Sequence, residues 1–169
     1  FHVEELEGSL DVPETLRPKI ARWCSGVGNV DPEAWHCAER QRVISVHGRW
    51  TFETSNFNEL RACRPVSGPA LASSSPDEVA DANGGSCDFC ELERLTCVEP
   101  FGRVCGRHST TAGNAFKSSG KHGLVIWHRH RPHRLTDEEL RDGFETAEEP
   151  LRTTSCRVFP PLLVRSRLG

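Results

Sequence analysis

Apolar positions change their spacing several times along this chain, and each change predicts a different element. In "DVPETLRPKIARWC" Leu16, Ile20 and Trp23 recur at helical spacing behind Asp11, placed to cap a short helix, and Pro13, placed near its start. "DPEAWHCAERQR" repeats the arrangement, with Asp31 as N-cap, Pro32 at the first helical position, then Ala34, Trp35 and Ala38. Two short helices in an acidic N-terminal extension over 1–42 are therefore expected.

Beyond residue 42 the period shortens to two. "RVISVHGRWTFETSNFNELRACRP" alternates around His47-Gly48 and predicts a hairpin of strands 43–46 and 50–54, closed by Arg64-Pro65. Residues 66–86, rich in Ser, Ala, Pro, Gly and Asp, read as an exposed loop. "GRHSTTAGN" reads as a polar turn and "GLVIW" as a buried strand. "LTDEELRDGFETAEEPL" is a helix with a capping box, Thr136 at the N-cap and Glu139 three residues on, an apolar stripe of Leu140, Phe144 and Ala147, and Pro150 at its end. The last stretch, 151–169, has no clear period and no acidic residue. The chain thus divides into a helical N-terminal extension (1–42), an α+β body (43–150) and an irregular tail (151–169).

Composition narrows the function classes. With 169 residues the chain suits one domain, and a hydrophobic fraction of 36% beside a charged fraction of 27% is that of a water-facing fold. A net charge of −3 and a pI near 6.3 speak against a nucleic-acid binder. The longest apolar runs, 124–127 and the proline-interrupted 158–164, are too short for a transmembrane segment, which leaves peripheral association with a membrane complex open. The chain starts at Phe1 and contains no methionine, so its start reads as processed or as incompletely represented; a removed targeting sequence, and with it an organellar setting in plastid or mitochondrion, is one expectation.

Eight cysteines occur, and only Cys87 and Cys90, in "CDFC", have a spacing that implies joint chemistry; the others read as ordinary small thiols. A Cys-x-x-Cys turn supplies two ligands to a tetrahedral zinc ion. Five histidines follow it within 50 residues, His108, His122, His128, His130 and His133, and the strand pattern would put His122, His128 and His130 on one face. A redox pair would need a βαβ setting, whereas this motif follows a loop and a hairpin. A local disulfide or two ordinary thiols stay open as alternatives, and "WHRHRPHR" alone reads equally as a solvated basic edge.

Taken in order, three segments resemble the N-terminal half of galactose-1-phosphate uridylyltransferase, within the histidine-triad superfamily. "HGRWTFETSNFNELRACRP" is similar to that family's opening hairpin, "CDFC" to its zinc knuckle, and "GNAFKSSGKHGLVIWHRHRPHRLTDEEL" to its Asn-x-Phe segment, strand, histidine and helix. The resemblance spans roughly 47–150. It implies a partial histidine-triad-like antiparallel sheet with a packing helix, and zinc ligands at Cys87, Cys90 and His130. The family's fourth histidine belongs to a second half that has no counterpart here; His108, the nearest unassigned histidine after the knuckle, is its expected substitute.

The family's chemistry also requires a His-x-His segment after the helix, whose histidine attacks the α-phosphate. Residues 151–169 contain no histidine, and His128-Arg129-His130 has the spacing but precedes the helix. The expected function is therefore a non-catalytic zinc-binding structural or interaction subunit, with other protein subunits of a larger assembly as partners. The alternative is a nucleotidyltransferase or hydrolase acting on a nucleotide sugar or dinucleotide, completed by a missing half or a partner chain.

Overall fold

The computed structural model describes residues 1–25, 30–65, 87–131 and 134–153. The loop expected over 66–86, the residues after 153 and His133 lie outside them. The chain forms a mixed α+β structure with two small antiparallel sheets. Strands β1 (His2–Ser9), β2 (Arg40–His47) and β3 (Thr54–Phe57) make the first, in the order β1-β2-β3. Strands β4 (Ser109–Gly113) and β5 (Gly123–Trp127) make the second. Among the described residues the helices are α1 (Arg17–Cys24), α2 (His36–Glu39), α3 (Leu92–Leu95) and α4 (Asp137–Thr153), with a 3-10 helix at Glu59–Cys63.

The N-terminal segment departs from expectation. It opens with a strand, β1, paired with β2 along its whole length from His2–His47 to Ser9–Arg40. Residues 1–42 therefore contribute to the sheet as well as carrying helices. Asp11 does not cap α1: its backbone exchanges hydrogen bonds with Val98 at 2.8 and 2.9 Å, and Leu16 occupies the N-cap. The strand partner outcompetes the local cap because it satisfies both backbone groups of Asp11 at once. Asp31 accepts from the Glu33 N–H at 2.9 Å in a turn, and the helix that follows is only one turn long.

The hairpin exists with a longer first arm, a longer turn, and a shorter return strand displaced to Thr54–Phe57. In β2 the side chains of Gln41, Val43 and Ser45 are buried in strict alternation, the period-two signature of a one-sided strand. Trp50 falls in the turn, residues 48–53, and not in the return strand. β4 lies where a polar turn was expected. All of its residues are buried, and their hydroxyls are satisfied: Ser109 donates to Asp142 at 2.6 Å, Thr110 meets His128 Nε2 at 2.8 Å, and Thr111 accepts from the Val104 N–H at 2.8 Å. Buried hydroxyls with partners cost little, and the β-branched threonines favour the extended backbone.

The two sheets are stitched by residues 97–99, which bridge to Asp11 on one side and Gly113 on the other. Over this seam lies the core: Leu10, Val12, Leu16, Ile20, Ala21, Trp35, Ala38 and Cys97. Beside it a polar knot joins β2 to the loop after β4. Gln41 Oε1 accepts from the Lys117 backbone at 3.0 Å and from Asn58 Nδ2 at 2.8 Å. Lys117 itself is fully buried and donates to Glu99 Oε1 at 2.6 Å. Burial pushes the Glu99 carboxyl up, and the Lys117 ammonium works against that rise. α4 packs over β4 and β5 and continues through Pro150, expected to end it, to Thr153.

Candidate metal centre

Cys87, Cys90 and His130 come together, with one ligand atom from each lying within 4.8 Å of the others. The first two share a turn just before α3, closed by the Cys90 N–H donating to the Cys87 carbonyl at 3.0 Å. His130 arrives from the residues that follow β5, and its Nδ1 is 3.1 Å from Cys90 Sγ. Around a tetrahedral zinc ion the bond lengths imply about 3.6 Å between sulfur and nitrogen and about 3.8 Å between sulfurs. The Cys90–His130 contact would have to open by only about half an ångström to reach that geometry. Two thiols and an imidazole form a soft donor set, so the trio could hold a transition-metal ion. Cys90 is exposed while Cys87 and His130 are half-buried, which leaves a route for the ion to enter.

The segments that carry the trio are anchored from behind. Asp88, inside the knuckle, forms an ion pair with Lys19 of α1, tying the turn to the helical core. Arg129, the neighbour of His130, donates through Nε to Glu139 Oε1 at 2.8 Å. Glu139 is also the capping-box residue of α4: it accepts from the Thr136 N–H at 2.7 Å, and its own N–H donates to Thr136 Oγ1 at 3.3 Å. The Thr136 amide first, and Arg129 next, hold the Glu139 carboxyl down at about 2. The Glu139 carbonyl in turn accepts from Trp127 Nε1 at 2.8 Å. One residue thus starts the helix and anchors the strand end that presents His130.

His108 is not brought to the trio. Its backbone carbonyl accepts from the His128 N–H at 2.9 Å, extending the β4–β5 ladder. Its Nε2 is buried without a hydrogen-bond partner and faces Glu138 Oε1 at 3.5 Å. Asp142 fixes this stretch by accepting from the Arg107 and His108 N–H groups at 2.7 and 3.0 Å. Burial alone would raise the Asp142 carboxyl, but these bonds and that from Ser109 outweigh it and hold it low. The residue expected as fourth ligand therefore serves α4 and the ladder, and three candidate ligands come together among the described residues.

The remaining histidines on the expected strand face separate. His128 is engaged by Thr110, and His122 Nδ1 accepts from the Ser118 N–H at 2.9 Å. Burial, then the cations of Lys117 and Arg61, lowers the pKa of His122 and keeps it neutral. Beside the trio opens a 310 Å³ cavity lined by Phe89, Trp127 and His128. The supporting pairs Lys19–Asp88 and Arg129–Glu139 were not readable from spacing; only the capping box at Glu139 was. Among the described residues no helix is long and apolar enough to cross a membrane. Comparison with protein-family models, with curated proteins and with solved structures found no match.

Proposed function

We propose that this chain is a non-catalytic zinc-binding subunit, in which Cys87, Cys90 and His130 hold the ion and the ion fixes the join between the knuckle and β5. The convergence of these three side chains carries the reading. The donor set matches zinc in softness, and a fourth position remains for water or for a ligand outside the trio. The resemblance to the uridylyltransferase N-terminal half supports the same ligands.

Catalysis by the superfamily route requires a histidine free to attack phosphorus. His130 belongs to the trio, His128 is bound to Thr110, and 151–169 contain no histidine. Surface aromatics support an interaction role instead. Trp50 and Phe52, in the turn between β2 and β3, are 88% and 90% exposed. Phe52 also holds φ at 57°, a left-handed backbone that costs a bulky residue energy. Exposed rings presented on a strained turn fit contact with another protein subunit.

Elemental mass spectrometry of the purified chain tests the proposal. One zinc per chain, with no nucleotidyl transfer to the protein from a nucleotide sugar or dinucleotide, is expected. A metal-free chain would refute the zinc site, and transfer abolished by His128→Asn would refute the non-catalytic reading.

A further inference from the structure

Three further cysteines, separated in sequence and read individually as ordinary thiols, meet at one place. Cys24 is the last residue of α1, Cys37 lies in α2 and Cys63 is the last residue of the 3-10 helix. α1 contacts both of the other elements. The Cys24 thiol interacts with the thiols of both Cys37 and Cys63. All three are reduced and half-buried, sheltered yet accessible to a small molecule. The Cys37 thiol donates to the Ala34 carbonyl at 2.7 Å. The three do not form a compact metal-binding trio of the kind seen at Cys87, Cys90 and His130. Cys24 is the shared member of two contacts.

We infer that Cys24 is the hub of a disulfide-forming site, pairing with either Cys37 or Cys63 while the third thiol stays poised to exchange. The oxidant is a small disulfide such as oxidised glutathione. The Cys24 thiolate attacks one of its sulfurs, expelling the first glutathione thiolate and forming a mixed disulfide. The thiolate of Cys37 or Cys63 then attacks Cys24 Sγ and expels the second, so two protein thiols are oxidised and one small disulfide is reduced. Attack on the same Cys24 Sγ by the remaining thiol moves the bond between partners with no net transfer of electrons. Burial first, then the two neighbouring thiols, pushes the Cys24 thiol up to about 12, so the reaction is slow and answers to sustained oxidation. The disulfide would lock the end of α1 to α2 or to the 3-10 helix.

Peptide mapping by mass spectrometry of the full chain, after incubation with oxidised glutathione under native conditions and alkylation of the remaining thiols, tests the inference. Cys24 should appear linked to Cys37 or Cys63 in the unmodified sequence, a result that depends on no variant. Cys37→Ser should shift the linkage wholly to Cys24–Cys63, and Cys63→Ser to Cys24–Cys37. Cys24→Ser should leave both other thiols alkylatable. A Cys24 that stays fully alkylatable, or a Cys37–Cys63 linkage that persists in Cys24→Ser, would overturn the hub. So would a second metal ion per chain, measured with added zinc, that is lost in Cys24→Ser but kept in Cys90→Ser. Loss of the zinc at Cys90 without change in the Cys24 linkages would separate the two sites.

Discussion

Cys90 Sγ and His130 Nδ1 lie 3.1 Å apart although 40 residues separate them in the chain. The contact joins the turn before α3 to the end of β5, two segments that share no strand pairing. A metal ion at this point would act as a long-range cross-link, and its removal would act on folding as well as on binding.

Replacing either end of that link should therefore have the same result. Cys90→Ser and His130→Ala are each expected to bring zinc content from one ion per chain to near zero and to lower the melting temperature of the zinc-loaded protein. With chelator present, the parent chain should melt where these variants melt. A variant that keeps full zinc content would remove its residue from the ligand set.

Glu139 links helix capping to ligand placement. Its carboxyl sits at about 2 in the folded chain, below the ordinary 4.5, so its ionised form favours the fold. That contribution is complete above about pH 4.5 and disappears as pH falls through 2. Glu139→Gln should then melt below the parent at neutral pH, and the gap should close on acidification from pH 5 to pH 2. Thr136→Ala removes the other half of the box and should cost about 1 kcal/mol in urea unfolding. Arg129→Gln, which frees the residue before His130, should weaken zinc about tenfold in chelator competition while leaving helix content unchanged.

The buried pair of Lys117 and Glu99 is costly to break from one side. Lys117→Ala strands a buried carboxylate and should destabilise the chain by about 3–5 kcal/mol, read as a lower denaturant midpoint. Replacing both partners, Lys117→Met with Glu99→Leu, should recover much of that loss, because no unpaired charge then remains. Equal destabilisation by the single and double variants would show that the methylene packing of Lys117, and not its charge, matters.

Gly143 looks improvable from helix propensity and should not be. Alanine there would gain about 1 kcal/mol in an exposed helix. A Cβ at Gly143 would instead meet the Trp127 ring at 2.6 Å, and that ring is pinned by its bond to the Glu139 carbonyl. Overpacking against a rigid ring costs about 1–3 kcal/mol, so Gly143→Ala should be net destabilising in thermal melts. A gain in stability would mean that α4 can lift from β5 freely.

Where local rules operate, the sequence alone determined the outcome. The capping box at Thr136 and Glu139, the strand Gly123–Trp127, the alternation of β2 and the tight turn of Cys87 and Cys90 all follow from residues within a few positions of one another. Tertiary structure decided the rest, because the deciding partners are distant. β1 is a strand only because β2 lies beside it, and β4 is buried only because Asp142 and His128 satisfy its hydroxyls. His130 joined Cys87 and Cys90 while His108 went to the ladder, and Cys24 met Cys37 and Cys63. Spacing specifies which ligands a turn can offer; only the closure of distant segments over a common core specifies which side chains meet them.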